Sequence, residues 1–257
     1  MRIDWNCDQK TLLATIRRKS LHKLEVLCMG QCGCILTYGE KKVSIDVVYS
    51  DLYYQGTLQS RRQIPPPFPK EQVPWIDLFL VSHDHADHED KEFFRWRMED
   101  KRVRMIAPDC VLSHYGRCYE PVEGITPIEV PHEEYRYDAQ GKPECYGYVL
   151  DTPAGAIFHA GDAVLTDKLT NDLLGQHKHF KMLMVPINGR GRPGIIGNMD
   201  IDEAISLALR IQPDYLVPTH WDLFKENGAD ISLFVDKANA AGLSYLIPRP
   251  GEVWCFD

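Results

Sequence analysis

Short apolar runs separated by glycines open the chain and predict β-structure. Three runs rich in β-branched and apolar residues span 24–29, 32–38 and 42–48, and glycines stand between them, where consecutive strands have to turn. A helix is predicted before these runs, around 8–18. The pattern therefore predicts a helix followed by an antiparallel β-meander.

Strand-like and helix-like runs alternate in the rest of the chain. Apolar runs predict strands at 76–82, 103–107, 146–150, 156–160, 181–187 and 214–220. Helical patterns span 89–98 and 108–116, and two more helices begin at the capping pair Asp200 and Glu203 and near Ile231. This alternation predicts layers of sheet and helix, an α/β (α+β) fold class.

A polar, proline-rich segment, SRRQIPPPFPKEQ, spans 60–72. Three successive prolines do not fit a central strand or a helix interior, because proline lacks the backbone donor that both need. The segment is therefore predicted to be an exposed loop. It either connects two elements or forms a lid over a nearby site.

Composition indicates one domain, spanning 1–257, with 44% hydrophobic residues. Aspartate and glutamate number 37 against 29 lysines and arginines, and the net charge of -8 argues against nucleic acid or anionic membranes as partners. Neither an export signal nor an apolar run of about 20 residues is recognisable. We expect a cytoplasmic protein, and the sequence leaves open whether it is a homo-oligomer.

The eight cysteines contain no CxxC pair, which favours reduced thiols in a chain of this length. Cys28, Cys32 and Cys34 lie in one apolar run and are expected to be buried packing residues. A redox pair of Cys32 and Cys34 is the alternative.

The motif VSHDHADH follows a predicted strand and places His83, His85, Asp87 and His88 within six positions. In an extended segment, residues two apart point the same way, so His83 and His85 can bind one ion. Asp87 and His88 are adjacent and diverge, which suits them to a second ion or to the far side of the first. A hydrolytic zinc-like site needs about three protein ligands, so further ligands must come from elsewhere in the chain.

Three other residues close short strand-like runs: His132 in PIEVPH, Asp162 in AIFHAGD and His220 in DYLVPTH. Loops at strand ends can converge over one edge of a sheet. These three are therefore the candidates to complete the site. His159 precedes Asp162 within a strand and is expected to support the ligands or to belong to the core.

The order and context of these motifs resemble those of the metallo-β-lactamase superfamily. The early GQCGCILTYGEKKVSIDVV is similar to that family's opening β-meander, so the resemblance covers the chain from about Leu24 onward. It implies a four-layer αββα sandwich with a two-metal site at the edge where the strand ends meet.

The resemblance also implies individual roles. His83, His85 and His132 would hold the first ion, Asp87, His88 and His220 the second, and Asp162 would bridge them. Two-metal hydrolases share a water that supplies hydroxide near neutral pH, and Asp87 could orient this nucleophile. Asp46 matches a recurrent family aspartate and is expected either to support a ligand imidazole or to be a turn residue. Nitrogen and oxygen ligands are compatible with zinc, manganese or iron.

Within the superfamily, NGRGRPGIIGNMDIDEA is similar to the cytoplasmic sugar-lactone branch typified by L-ascorbate-6-phosphate lactonase. This stretch begins with Asn188, Arg190 and Arg192 in a glycine-rich loop. Guanidinium groups suit phosphate or carboxylate, and glycines let backbone N–H groups approach an anion. We therefore expect these three residues to bind a small anionic substrate.

The first hypothesis is a metal-dependent hydrolase that opens a lactone or ester of a small phosphorylated or acidic sugar. A phosphodiesterase or phospholipase-D-like hydrolase of the same fold is one alternative. Another is a non-hydrolytic iron redox or sensor module with the same ligands. A metal-stabilised interaction protein is disfavoured, because structural metal sites are usually closed.

Overall fold

The computed structural model describes residues 9–189 and 197–257. Its first part contains α1 (Gln9–Arg17), β1 (Leu24–Gly30), β2 (Gly33–Tyr38), β3 (Lys41–Ile45), β4 (Leu52–Tyr54), β5 (Thr57–Ser60), β6 (Leu78–Leu80), α2 (Lys91–Met98), β7 (Arg104–Ile106) and α3 (Asp109–Ser113). Its second part contains β8 (Ile125–Glu129), β9 (Tyr146–Thr152), β10 (Gly155–His159), α4 (Asp167–Gln176), β11 (Phe180–Pro186), α5 (Ile201–Ile211), β12 (Tyr215–Thr219), α6 (Ile231–Ala240) and β13 (Val253–Phe256). Arg190 and Arg192, predicted to bind an anion, lie outside the described residues.

Two mixed sheets form the centre of the fold. The first has the strand order β13-β1-β2-β3-β6-β7, and the second has the order β12-β11-β10-β9-β8. The predicted meander is confirmed, because β1, β2 and β3 are successive antiparallel neighbours. β3 and β6 are parallel, as are β10, β11 and β12. Parallel neighbours end at the same edge of a sheet, so each sheet delivers several loops to one edge.

Apolar side chains fill three interfaces between four layers. Residues of both sheets meet in a central core that includes Val26, Leu36, Ile157 and Met184. The outer face of the first sheet packs against α1, α2 and α3, and the outer face of the second packs against α4, α5 and α6. The predicted αββα sandwich is therefore confirmed.

Several local predictions are refined by backbone geometry. The strand predicted at 42–48 ends at Ile45, because Asp46 adopts a left-handed φ of 44° that breaks the extended chain. The capping pair is confirmed, since Asp200 accepts from the backbone N–H of Glu203 and Glu203 accepts from that of Asp200. The short hairpin of β4 and β5, helix α4 and strand β13 were not predicted.

The proline-rich segment 60–72 is anchored to the body of the protein. Phe68 is buried in the core beneath α2, and the Arg62 side chain donates to the carbonyl of Val48 at 2.6 Å. The prediction of an exposed loop is therefore wrong for Phe68: the prolines exclude regular structure, but they do not keep the phenyl ring out of the core.

The helices in the described part of the chain are short. The longest, α5, has 11 residues, whereas a membrane span needs about 20. None of the described helices combines the length and apolarity of a membrane span.

One buried tyrosine forms hydrogen bonds that connect the two sheets. The hydroxyl of Tyr148 in β9 lies 2.7 Å from the carbonyl of Val81 and 3.0 Å from that of Ile106, both belonging to the first sheet or its extension. Tyr148 is fully buried. Its hydroxyl therefore donates a hydrogen bond to the carbonyl of Val81, two residues before His83.

Replacing Tyr148 with phenylalanine removes this donor and leaves a buried carbonyl with one partner fewer. We expect Tyr148→Phe to lower the free energy of unfolding by about 1–3 kcal/mol, measured by urea denaturation. Tyr119→Phe, at a position that is 42% exposed, is the matched control and should change it by less than about 0.5 kcal/mol. Equal stability of the two variants would contradict a role for this hydroxyl.

Candidate metal centre

The seven residues predicted as metal ligands follow strand ends at one edge of the sandwich. His83, His85, Asp87 and His88 follow β6, His132 follows β8, Asp162 follows β10, and His220 follows β12. Since β8, β10 and β12 run in the same direction in the second sheet, their loops reach the same edge. There they meet the loop that leaves β6 of the first sheet.

The first group consists of His83, His85, His132 and Asp162. One ligand atom from each lies within 4.8 Å of all the others. The three imidazole rings have centroids 4.5 to 5.1 Å apart. Asp162 approaches this group through Oδ2, which is 4.0 Å from Nε2 of His83.

The second group consists of Asp87, His88, Asp162 and His220, with the same mutual proximity. Oδ1 of Asp162 lies 2.7 Å from Nε2 of His220 and 3.1 Å from Nε2 of His88. Oδ2 of Asp87 is 3.9 Å from the same His88 nitrogen. Asp162 thus turns one oxygen toward each group and lies between them.

Hydrogen bonds at the far side of the rings leave the Nε2 atoms facing the site. The Nδ1 partners are Asp46 Oδ2 for His88 (2.9 Å), Ser82 Oγ for His83 (2.9 Å) and the Gly197 carbonyl for His132 (2.8 Å). An acceptor on Nδ1 keeps the proton there and leaves the Nε2 lone pair available to a metal. Asp46 therefore accepts a hydrogen bond from a proposed ligand imidazole, that of His88.

Four buried nitrogen and oxygen atoms that lack hydrogen-bond partners in the described part of the chain indicate that these residues fit a metal ion. Within 9–189 and 197–257, Nε2 of His83, His88 and His220 and Oδ1 of Asp162 have no partner with hydrogen-bond geometry. Nε2 of His220 and Oδ1 of Asp162 nevertheless lie 2.7 Å apart and attract each other as an ion pair. Buried polar atoms are seldom left unpaired. Imidazole and carboxylate donors converging in this way fit divalent metal ions.

The shifted pKa values of the buried groups indicate that positive charge is favoured beside Asp162. Burial raises the pKa of Asp162, but His220 and His88 outweigh it and hold the pKa well below its usual value. Burial lowers the pKa of His220, but Asp162 outweighs it and raises that pKa to about 10. Burial and neighbouring histidines lower the pKa of His83 well below its usual value. A cation next to Asp162 is therefore stabilised, and His83 is a neutral donor.

The two groups open into a cavity of about 530 Å³. Its lining consists of Leu52, Gln59, Ser60, His85, Asp87, His132, Glu133, Asp162, Asn198, Glu226 and Asn227. A second cavity of about 790 Å³ lies under the β4–β5 hairpin and shares Leu52, Gln59, His85 and Asp87 with the first. Of the candidate ligands, His85, Asp87, His132 and Asp162 line these cavities and are therefore reachable by a small molecule.

Several polar residues at the site escaped the sequence analysis. Gln31 and Asn227 contact Asp87 and His220, and Ser82 donates to Asp46 at 2.7 Å. Ser82 directly precedes the histidine motif, and Gln31 is a polar residue between turn glycines. Either signal could have marked a supporting residue. Asn227 has no comparable signal, because it lies in a polar loop far from the motif.

Asn188 and the remaining predicted residues have defined positions. The Asn188 amide donates to Asn227 at 2.7 Å and accepts from Asn198 at 3.0 Å, so it lies beside the site, and its substrate-binding role stays a prediction. His159 is buried beneath the site, with Nε2 2.8 Å from the Cys32 carbonyl. Cys32 is buried as expected, and its Sγ is 3.4 Å from Nδ1 of His88.

Comparisons with known proteins agree with this architecture. A curated relative, a UPF0173 metal-dependent hydrolase from Methanocaldococcus jannaschii, is 26% identical over 188 residues, covering 69% of this chain and 82% of the relative. An isothiocyanate hydrolase from Delia radicum gut bacteria has a similar structure, with a TM-score of 0.72, 17% identity, and coverage of 91% of this chain and 99% of that one.

The fold also occurs in a protein described as a diiron β-hydroxylase. CmlA, a diiron β-hydroxylase from Streptomyces venezuelae, has a TM-score of 0.67 at 11% identity, covering 93% of this chain and 55% of that one. At these identities, likeness to the solved structures shows the fold alone. Residues 42–123 and 119–221 match the family model described as the beta-lactamase superfamily domain. The chain belongs to the metallo-β-lactamase superfamily.

Proposed function

We propose that this protein is a metal-dependent hydrolase of small carbonyl substrates, with lactones and esters as its substrate class. The observation that carries the proposal is the position of Asp162 between two groups of histidines at the floor of an open cavity. Catalytic metal sites keep a position open to water and substrate. The metal-dependent hydrolase from Methanocaldococcus jannaschii supports the same coarse activity.

The ligand set divides between two ions. His83, His85 and His132 would hold one, Asp87, His88 and His220 the other, and Asp162 would contribute an oxygen to each. Zinc, manganese and iron all accept these donors. When bound, such ions lower the pKa of a coordinated water toward neutrality and polarise the oxygen of the group under attack.

The protein's own residues supply position and charge. Asp162 and Asp87 are the proposed catalytic carboxylates: Asp162 holds the two ligand groups together, and Asp87 lines the cavity, where it can orient a nucleophilic water. Oδ2 of Asp87 accepts a 2.7 Å hydrogen bond from the Asn227 amide, which leaves its other oxygen for that water. Asp46 holds the proton of His88 at Nδ1.

An acidic or phosphorylated sugar lactone is the substrate that we propose within this class. The described lining of the 530 Å³ cavity contains four carboxylates, Asp87, Glu133, Asp162 and Glu226, and no lysine or arginine. Bound cations would offset part of this negative charge. The remaining anion recognition would fall to Arg190 and Arg192, which follow Asn188 in the sequence.

Removing a proposed ligand tests the activity directly. We expect His83→Ala and Asp162→Ala each to lose bound metal and to lower kcat/KM by about 10³-fold or more, because both the ions and the nucleophile depend on these side chains. Metal content by mass spectrometry and steady-state kinetics are the measurements. His179→Ala is the control, since His179 is exposed and paired with Asp214. Full activity of Asp162→Ala would contradict its role between the two groups.

A substrate panel separates the hydrolase classes. Protein purified without chelator is offered sugar lactones with and without a phosphate or carboxylate, together with phosphodiesters and thioesters. We expect the acidic lactones to be hydrolysed fastest. Rapid diester turnover with inert lactones would favour a phosphodiesterase. Dioxygen consumption by an iron-loaded sample, with all these substrates inert, would favour the redox alternative.

The proposed anion contact gives a further prediction. Arg192→Ala should raise KM for acidic lactones by about 10- to 100-fold with little change in kcat, because a charge-assisted hydrogen bond to the substrate is lost while the metal groups stay intact. Neutral lactones should be unaffected. Arg210→Ala, which removes an exposed arginine paired with Asp167, is the control. Equal effects on neutral and acidic lactones would contradict anion recognition.

A further inference from the structure

Gln31 is a buried polar residue in the tight turn between β1 and β2. It is only 2% exposed and adopts a left-handed φ of 56°, a conformation that non-glycine residues adopt uncommonly. Its backbone carbonyl accepts from the N–H of His220 at 3.1 Å, and its own N–H donates to Asp222 at 3.0 Å. The turn is therefore fixed directly to the loop that carries a proposed ligand.

The Gln31 side chain reaches two members of the second ligand group. Its amide lies 2.8 Å from Nδ1 of His220 and 3.4 Å from Oδ2 of Asp87. The amide of Asn227 approaches the same two side chains from another loop, 2.7 Å from Asp87 and 3.5 Å from His220. Two amides thus contact the same carboxylate and the same imidazole.

We propose that Gln31 and Asn227 are positioning residues that set the affinity for the ion held by Asp87, His88 and His220. This inference rests on the proposed function, since it presumes a metal centre. Together the two residues form an amide clamp, which holds a carboxylate and an imidazole in the orientation that a shared ion needs. Partners of this kind typically change metal affinity by about 10- to 100-fold.

The tautomer of His220 decides which end of the Gln31 amide faces it. A histidine that binds metal through Nε2 carries its proton on Nδ1, so its partner must be an acceptor. The oxygen and nitrogen of an amide exchange places by a half-turn without changing its shape. We therefore assign Oε1 as the acceptor of the His220 Nδ1–H. In this orientation Gln31 holds the imidazole of His220, and the carboxylate of Asp87 is held by Asn227, whose N–H₂ group donates to Oδ2 at 2.7 Å.

The clamp is itself held in place. Oδ1 of Asn227 accepts from the Asn188 amide at 2.7 Å, and Asn188 in turn accepts from Asn198 at 3.0 Å. Asn227 is thereby oriented with its N–H₂ group toward Asp87. A ligand side chain that is already held in position loses less conformational entropy when the ion binds.

The first ligand group is oriented by different residues. Ser82 accepts from His83 and the Gly197 carbonyl from His132. Among the described residues, the hydrogen bonds of the Gln31 and Asn227 side chains go to other residues than these two histidines. Loss of the clamp should therefore weaken one ion and leave the other in place.

The experiment titrates Zn²⁺ into chelator-stripped protein under a competing chelator and counts the ions per chain. For Gln31→Met, which keeps the length of the side chain but removes both polar atoms, we expect one ion to bind about 10- to 100-fold more weakly and the other to bind as in the wild type. Asn227→Ala should weaken the same ion. Gln140→Met, at an exposed turn, is the matched control and should bind both ions normally.

Two further variants make the result decisive. Gln31→Glu keeps an acceptor oxygen at Nδ1 of His220 and should bind the second ion more tightly than Gln31→Met; the reverse order would overturn the inference. So would wild-type affinity for both ions in Gln31→Met. Should circular dichroism show that Gln31→Met is unfolded, Asn227→Ala decides in the same way. Wild-type protein that binds none of zinc, manganese and iron would instead refute the proposed function.

Discussion

A buried carboxylate among imidazoles is the interaction on which this site depends. Asp162 is 6% exposed, and its negative charge has to be compensated there, because desolvation of an isolated carboxylate is very costly. The compensation comes from His88 and His220, delivered by loops of different sheets. The αββα sandwich is what brings these loops together, since parallel strands of each sheet end at the same edge.

Unusual backbone conformations concentrate around this carboxylate. Six described non-glycine residues have positive φ values, and four of them, Gln31, Asp46, Glu133 and His220, contact the ligands, line the cavity or are proposed ligands. Such conformations carry a cost and persist where surrounding contacts fix them. Here the contacts are hydrogen bonds between loops, as between His220 N–H and the Gln31 carbonyl.

The charges of the cavity give the proposed ions a second role. Four carboxylates in the described lining repel an acidic substrate, so a lactone with a phosphate or carboxylate needs cations to approach. Ions between the carboxylates would supply both the attraction and the activation of water. A neutral substrate would need the ions only for the activation of water. The net charge of the whole chain, -8, therefore says less about the substrate than the local balance at the site.

The sequence by itself determined the fold class, the β-meander and the family, because apolar periodicity and the HDHADH spacing are local properties of the chain. It also indicated His132, Asp162 and His220, because each ends an apolar run. Gln31 and Asn227 could not be assigned in this way, because a single polar residue in a turn or loop forms no recognisable pattern. The side chain of Gln31, for example, contacts two residues that lie 56 and 189 positions away along the chain. Only tertiary structure decided those contacts, since hydrogen bonds between loops depend on how two sheets pack and not on the order of neighbouring residues.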